Sequence, residues 1–374
     1  MNILYIFGYK YSLQTWKNSG ALEREIEFFN KMWEDHKVIY TLITYGNKKD
    51  LKIDLPANIK VIPMFPDSAK NKSSIAMFIM SLVFPFKIYK YMDDFDVIKT
   101  NQLNGSWMAI ILKILLKNPL FLRTGFDQLL FAINDDKNKL KVFFFYLLTR
   151  ISLYFCDFYS VTSKSDIDYL SKRFKNNTKL IYRPNWVKIE EQLKTSDKKN
   201  FIFLSAGRLE NQKNFKLLIS ALSDIGQEIT IIGRGTEESN LKLLAKSLNV
   251  NLKIVPGLPH KEFLLFLKNV KFFILPSLYE GNPKVLLEAM SKGCVPIVSD
   301  IKNHTEIIKD DFNGLTFTNN DLESLRITLI KAGKMRNFKE LSSNSFNTVL
   351  KNNSLEKITE QEYQDYINLK QITK

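Results

Sequence analysis

Short apolar runs alternate with amphipathic stretches along almost the whole chain. Apolar runs bounded by polar turns predict strands, and apolar positions three or four apart predict helices between them. In the first helix, residues 21–33, Leu22, Ile26, Phe29 and Trp33 fall on one predicted face. The predicted strands are 3–7, 38–44, 59–62, 97–100, 120–123, 158–161, 180–182, 201–205, 228–232, 252–255, 271–275 and 295–298.

A polar stretch at residues 188–200 interrupts this alternation and has the composition of a linker. Strands that alternate with helices predict a parallel sheet covered on both faces. We therefore predict an α/β protein with two doubly wound, Rossmann-like domains, residues 1–187 and 201–354, which face each other across a cleft. The helix predicted at 355–369 is a candidate addition to the first domain. Ligands of such sheets bind beyond the carboxyl ends of the strands.

Charge divides the 374-residue chain unevenly. Its net charge is +15, and residues 1–199 hold 31 Lys and Arg against 20 Asp and Glu. Residues 200–374 hold 23 against 19. A basic N-terminal half implies an anionic partner, which could be nucleic acid, a membrane surface or a phosphorylated substrate.

Three apolar stretches, 73–86, 107–116 and 142–156, lie in this basic half and have lysines or arginines in or beside them. Each is shorter than the roughly 18 residues that a membrane-spanning helix needs. Two interpretations remain open: helices that lie in a membrane interface, or helices buried on most of their surface in an α/β core. The N-terminus reads as a buried strand rather than a signal peptide.

Several kinds of chemistry are disfavoured by composition and spacing. Cys156 and Cys294 are too few for a disulfide scaffold and are expected to be packed thiols. The three histidines lack metal-ligand spacing, and the Asp-x-Asp segments 94–96 and 166–168 are interpreted as solvated or capping acids. No metal site is predicted. A nucleic-acid partner is disfavoured because there is no recognition module or concentrated basic stripe.

The densest candidate site follows the strand that ends at residue 275. Glu280, Gly281 and Asn282 form a loop, with Asn282 as the expected cap and Pro283 at the first helical position. A helix N-terminus favours anions. Glu288 is surrounded by apolar residues in this helix and is therefore expected to be buried, where a lone carboxylate is costly.

Two further loops follow strands in the same domain. Arg208 and Lys213 would suit a pyrophosphate, because a guanidinium fork and an ammonium both donate to phosphate oxygens. Gly233 and Gly235 would let a ligand approach the backbone, but the third glycine of a dinucleotide motif is missing. A tight strand-to-helix turn is the alternative explanation for these two glycines.

In this order, these segments resemble the retaining nucleotide-sugar glycosyltransferases of the GT-B fold, family four (glycosyl transferases group 1). Glu280 and Glu288 match the family's Glu-x7-Glu signature in a strand–loop–helix context. The first half of the chain resembles the family more loosely, at 19–24, 160–170 and 183–187. The motifs in the second half are AGRL at 206–209, QKN at 212–214, IIGRG at 231–235, EGNPKVLLEAM at 280–290, GCVPIVSD at 293–300 and NGLTF at 313–317.

The resemblance implies roles for individual residues. Arg208 and Lys213 would grip the donor diphosphate, Glu280 would hold the transferred sugar and Glu288 the ribose hydroxyls. Where many relatives have a His-Asp pair, this chain has Phe126 before Asp127, so Asp127 is carried over as a candidate catalytic residue without its histidine. The remaining donor-binding candidates are Gly20, Gly233, Gly235, Gly281, Asn282 and Pro283.

The expected function is transfer of a hexose or N-acetylhexosamine from a nucleotide-sugar, with UDP favoured as the nucleotide, to a glycan acceptor. The resemblance implies no metal and no further cofactor. Together with the basic, apolar first half, it predicts a lipid-linked acceptor in surface polysaccharide or lipopolysaccharide synthesis, and a cytoplasmic protein at the inner face of the membrane. Alternatives are a sugar phosphorylase, a nucleotide-sugar epimerase or a non-catalytic binding protein on the same fold.

Overall fold

The computed structural model describes residues 1–65, 73–92, 94–125, 127–135, 137–175, 178–189 and 201–372. Phe126 and most of the predicted linker, 190–200, lie outside these residues. The chain divides into two compact units, the first formed by Met1–Pro184 with Ile358–Lys374 and the second by Asn185–Lys357.

The first unit contains a seven-stranded parallel sheet in the order β3-β2-β1-β4-β5-β6-β7. Its central strands are buried apolar runs, as expected where helices cover both faces of a parallel sheet. The strands are β1 (Asn2–Ile6), β2 (Ile39–Thr44), β3 (Ile59–Pro63), β4 (Val97–Thr100), β5 (Leu120–Arg123), β6 (Phe158–Val161) and β7 (Leu180–Tyr182).

In the described part of the first unit, seven helices connect these strands, and an eighth returns from the C-terminal end of the chain. Short 3-10 turns lie at Asp50–Lys52 and Tyr89–Tyr91. The helices are α1 (Leu13–Asn18), α2 (Ala21–His36), α3 (Ser74–Ile88), α4 (Ser106–Leu116), α5 (Gln128–Asn134), α6 (Lys139–Phe155), α7 (Lys164–Phe174) and the returning helix α15 (Leu355–Ile372), most of which lies in the first unit.

The second unit contains a six-stranded parallel sheet in the order β10-β9-β8-β11-β12-β13. Strand β13 was not predicted from the sequence. The strands are β8 (Phe201–Ala206), β9 (Ile229–Ile232), β10 (Leu252–Val255), β11 (Val270–Leu275), β12 (Val295–Ser299) and β13 (Leu315–Phe317). The helices are α8 (Phe215–Leu222), α9 (Glu238–Ser247), α10 (His260–Leu267), α11 (Lys284–Ser291), α12 (Lys302–Thr305), α13 (Leu322–Gly333) and α14 (Phe338–Asn353).

Helix α15 is tied to the sheet of the first unit by buried charges. Lys99 of β4 pairs with Glu362, and both side chains are almost fully buried. Burial lowers the pKa of Lys99, although the Glu362 carboxylate opposes that effect. Asp365 accepts two hydrogen bonds from the Arg183 guanidinium, each 2.6 Å long. The sheet of the first unit is therefore covered in part by the chain's last helix.

The exposure of two helices departs from the apolar patterns of their sequences. The buried face of α2 carries Leu22, Phe28, Phe29 and Met32, while Trp33 is 39% exposed. Helix α3 is not buried on most of its surface, since its only buried residues are Ser81 and Pro85. Among the described residues, the helical stretch Ser74–Tyr91 is the one long and apolar enough to cross a membrane, with a mean hydropathy of 1.2 and 11% of it buried.

Candidate active site

The candidate site lies in the second unit, where the order of the strands reverses direction. Strands β8 and β11 are adjacent, and the chain leaves each of them toward opposite sides of the sheet. The carboxyl ends of strands at such a switch point are where doubly wound sheets bind ligands. The loops that follow these two strands, 207–214 and 276–283, hold most of the residues predicted from the sequence.

A buried ion pair joins the two loops. The Lys213 ammonium contacts Oε1 of Glu280, and the two residues are 8% and 7% exposed. Ser277 donates a second hydrogen bond to the same oxygen, at 2.7 Å. Because an ammonium has three N–H donors, the contact with Glu280 leaves Lys213 with donors to offer a ligand. The structure therefore brings together two of the four predicted catalytic residues.

Backbone contacts hold these loops in register. The Leu278 amide donates to the Gln212 carbonyl at 2.9 Å, and the Gln212 side chain donates to the Tyr279 carbonyl at 2.8 Å. A Cβ on Gly207 would lie 3.0 Å from Cε of Lys213, so the glycine leaves room for the lysine stem. The position of Lys213 is thus fixed from both loops.

Arg208 differs from Lys213 in its exposure. Its side chain is 67% exposed and lies 3.4 Å from a carboxylate oxygen of Glu210. An exposed pair of this kind is weak, since water competes for both groups. Arg208 can therefore exchange Glu210 for an anionic ligand at little cost, whereas Lys213 is held in place.

Asn282 does not cap helix α11 as expected. Helix α11 begins at Lys284 with Pro283 at its N-cap position and no side-chain cap. The Asn282 amide oxygen instead accepts from the backbone N–H of Asn185 at 3.0 Å, and its carbonyl accepts from the Asn185 side chain at 2.6 Å. Asn185 thus fixes the backbone beside Gly281. The family resemblance includes the segment 183–187 but implies no role for Asn185.

Glu288 is 4% exposed, as its apolar neighbours predicted. One of its oxygens lies 3.0 Å from Nε2 of His260, the first residue of α10. His260 is the second residue that sequence reasoning missed. The two residues are 28 positions apart, and only the folding of α10 beside α11 brings them together. This pair gives the predicted ribose-binding carboxylate a fixed orientation.

A buried histidine completes the network around Glu280. Nδ1 of His304 lies 3.0 Å from the Ser299 carbonyl oxygen, which places the proton on Nδ1. The Ser299 hydroxyl in turn donates to the Ser277 carbonyl at 2.6 Å. Burial lowers the pKa of His304 to about 4, with a smaller opposing effect of Glu280 and a smaller lowering effect of Lys213. A neutral His304 is therefore held at the end of β12, and the Ser299 hydroxyl links that end to the loop that carries Glu280.

Gly233 and Gly235 have a packing reason to be glycine. A Cβ on Gly233 would lie 1.9 Å from the Gly207 carbonyl oxygen, and one on Gly235 would lie 2.3 Å from the Leu209 carbonyl oxygen. These contacts support the tight turn, which packs against the loop after β8. A donor-binding role for the two glycines stays a prediction.

In the first unit, Gly20 and Asp127 occupy helix starts. Gly20 precedes α2 with φ 72°, and a Cβ there would meet no atom within 4 Å. Asp127 caps α5 by accepting from the Leu130 amide at 2.7 Å. It is 1% exposed, and burial raises its pKa to about 6. The capping contact gives Asp127 a structural role, while its catalytic role stays a prediction.

Asp96 and the two cysteines, which the sequence did not assign to a functional site, have structural surroundings. Asp96 accepts from the Asn2 backbone amide at 2.7 Å and pairs with Lys370. Cys156 and Cys294 are buried thiols, as expected. Within the described ranges, no group of three or more His, Cys, Asp or Glu side chains could hold a metal ion.

Comparison with known proteins identifies the family. Residues 188–344 match the family described as Glycosyl transferases group 1. The second unit is a group 1 glycosyl transferase domain. The resemblance drawn from the sequence motifs is thereby confirmed.

Two curated relatives of this chain act on diphosphate-linked lipids according to their names. One is the GalNAc-alpha-(1->4)-GalNAc-alpha-(1->3)-diNAcBac-PP-undecaprenol alpha-1,4-N-acetyl-D-galactosaminyltransferase of Campylobacter jejuni, 28% identical over 63% of this chain and 65% of the relative. The other is the UDP-Gal:alpha-D-GlcNAc-diphosphoundecaprenol alpha-1,3-galactosyltransferase of Escherichia coli, 27% identical over 43% and 44%. The matched part is therefore less than two thirds of either relative's length.

The solved structures confirm the predicted fold class. The sucrose-phosphate synthase of Thermosynechococcus elongatus superposes on this chain with a TM-score of 0.84, covering 99% of both chains at 15% identity. With its two parallel-sheet α/β units, the chain has the GT-B fold.

Proposed function

We propose that this protein is a retaining glycosyltransferase that moves a hexose or N-acetylhexosamine from a nucleotide-sugar, with UDP favoured, to a lipid-linked glycan in surface polysaccharide or lipopolysaccharide synthesis. The observation that carries the proposal is the buried Lys213–Glu280 pair at the switch point of a group 1 domain. This pair places a cation and a carboxylate where doubly wound sheets bind their ligands.

The proposed chemistry assigns the two basic residues to the leaving group. The bond from the sugar to the diphosphate breaks, and negative charge grows on the departing oxygen. Lys213 and Arg208 would stabilise that charge, which is a large catalytic effect where the donors are already in place. The acceptor hydroxyl attacks the same face of the sugar and passes its proton to the leaving phosphate, so the anomeric configuration is retained.

The carboxylates would select the donor. Glu280 would accept hydrogen bonds from hydroxyls of the transferred sugar, with Gly281, Asn282 and Pro283 as its backbone surroundings. Glu288, oriented by His260, would accept from the ribose hydroxyls. No residue in this scheme depends on a metal ion.

The proposed acceptor is a glycan on a lipid diphosphate, presented at the inner face of the membrane. The names of both curated relatives support this chemistry, since each specifies a diphosphate-linked undecaprenol. The basic first half of the chain also favours an anionic partner on that side.

A thermal-shift panel of UDP-, GDP- and ADP-sugars tests the donor site, because a ligand that binds only the folded state raises its stability. Arg208→Gln should weaken the shift, while the exposed Arg336→Gln in the same unit serves as the charge-matched control. Transfer to a synthetic prenyl-diphosphate glycan, with the anomer assigned by NMR, then tests the reaction.

Three results would refute the proposal. A chain stabilised by no nucleotide-sugar lacks the donor site. A reaction that requires inorganic phosphate identifies a phosphorylase. A donor isomerised without any acceptor identifies an epimerase.

A further inference from the structure

We infer that the first unit binds an anionic membrane phospholipid in a cavity between α6 and the C-terminal end of α7. The inference deepens the proposed function, since it gives the membrane-side partner a specific place on the protein. The cavity has a volume of about 520 Å³, which is within the usual range for small-molecule sites.

The first argument is the charge of the cavity wall. Arg150, Arg173 and Lys175 line it, and no Asp or Glu does. In the part of the chain that the structure describes, none of these three cations has a carboxylate partner. Three cations without a counter-ion around one cavity favour an anionic ligand.

Aromatic side chains hold one of these cations in position. The rings of Tyr146 and Phe174 stack with their centroids 5.2 Å apart. The Arg173 guanidinium lies 5.3 Å from the Tyr146 ring centroid, within the range of a cation–π contact. This contact orients the guanidinium beside the cavity, while Arg173 as a whole stays exposed to solvent.

The second argument is the apolar surface beside the cations. Leu147, Ile151 and Tyr154 line the cavity, yet they are 43%, 38% and 74% exposed. Their spacing places them on one face of α6. Phe143, one turn earlier, is 61% exposed and extends this face. A free phosphate would leave such a surface uncovered, whereas a phospholipid covers it with its acyl chain.

These two features together describe a lipid site at a membrane interface. An amphipathic helix with basic and aromatic residues binds by burying its apolar face and attracting anionic headgroups. The phosphate would lie among Arg150, Arg173 and Lys175, and the acyl chain along Leu147, Ile151 and Tyr154. The cavity shares no lining residue with the candidate nucleotide-sugar site.

Vesicle flotation of the full chain tests the inference. Phosphatidylcholine vesicles containing phosphatidylglycerol should bind the protein, and pure phosphatidylcholine vesicles should bind it much less. The double variant Arg150→Gln/Arg173→Gln should lose about thirty-fold in partitioning, at about 1 kcal/mol for each cation near an anionic surface. The double variant Lys246→Gln/Lys253→Gln in the second unit removes the same charge and should bind like the wild type.

An apolar pair of variants tests the acyl-chain part of the site. Leu147→Ser should weaken vesicle binding several-fold, while Leu350→Ser, at a leucine of α14 with the same 43% exposure, should not. The nucleotide-sugar thermal shift should be unchanged in all variants, which separates this inference from the proposed function. Three results would overturn the lipid site. The two charge variants could bind vesicles equally, the two leucine variants could bind them equally, or inorganic phosphate could compete fully with the vesicles.

Discussion

The Lys213–Glu280 pair makes a quantitative prediction about stability. Lys213→Met removes the ammonium and leaves the Glu280 carboxylate 7% exposed, with the Ser277 hydroxyl as its remaining hydrogen-bond donor among the described residues. Breaking a buried ion pair by removing one partner costs about 3–5 kcal/mol, because the other charge stays buried and uncompensated. That is a large fraction of the roughly 5–15 kcal/mol that stabilises a typical protein. We therefore expect Lys213→Met to weaken the second unit severely.

A double-mutant cycle measures this coupling. Glu280→Gln alone leaves the ammonium unpaired, and we expect a similar loss. The double variant Lys213→Met/Glu280→Gln removes both charges and keeps an acceptor for Ser277. Its free energy of unfolding should therefore lie within about 2 kcal/mol of the wild-type value. Chemical denaturation gives the free energies, and hydrogen exchange in β8 and β11 assigns them to the second unit.

The control is an exposed pair in the same unit. Lys242 and Glu238 are 2.6 Å apart on α9, with side chains 59% and 39% exposed. Lys242→Met should cost no more than about 0.5 kcal/mol. The reasoning is refuted if Lys213→Met costs as little as this control, or if the losses of Lys213→Met and Glu280→Gln simply add in the double variant.

Three other variants have distinct expected outcomes. Glu288→Gln should reduce the nucleotide-sugar thermal shift while leaving the fold intact, since the amide can still meet His260; an unchanged shift would exclude Glu288 from the donor site. The pKa of Asp127 is raised to about 6, so the stability that its protonation contributes is complete below about pH 4 and is lost as the pH rises through 6. The loss amounts to about 3 kcal/mol in the free energy of unfolding. Thermal melts across this pH range should no longer show it in Asp127→Asn. The pKa of His304 is lowered to about 4, so stability is complete above pH 6.5 and falls by about 3 kcal/mol as the pH drops toward 4; His304→Asn, which keeps a donor for the Ser299 carbonyl, should flatten this acid limb.

Most of the strands could be predicted because they are short apolar runs in a parallel sheet covered by helices. Strand β11 ends at Leu275 and helix α11 begins at Lys284, and the sequence alone placed Glu280 in the loop and Glu288 in the following helix. The partners of these carboxylates could not be predicted in the same way. Lys213 is 67 positions from Glu280, and contacts of that kind depend on which strands become neighbours.

Exposure was harder to predict than secondary structure. The apolar composition of α3 is compatible with a buried helix, but the fold covers only a small part of it. Similarly, Trp33 fits the helical period of α2, yet the sheet contacts a face rotated toward Phe28 and Met32. Hydrophobic periodicity defines a helix, whereas the neighbouring elements decide which of its faces is covered.

The return of α15 to the first unit has a consequence for biosynthesis. On the ribosome, β4 emerges long before Glu362, and the whole second unit is translated in between. Until then Lys99 cannot form its ion pair with Glu362, and the part of the sheet that α15 covers remains exposed to water. The N-terminal unit therefore completes its folding after its neighbour has been synthesised, which reverses the usual N-to-C order of domains. A nascent chain stalled before α15 should expose apolar surface and recruit chaperones, and release of the last helix should end that exposure.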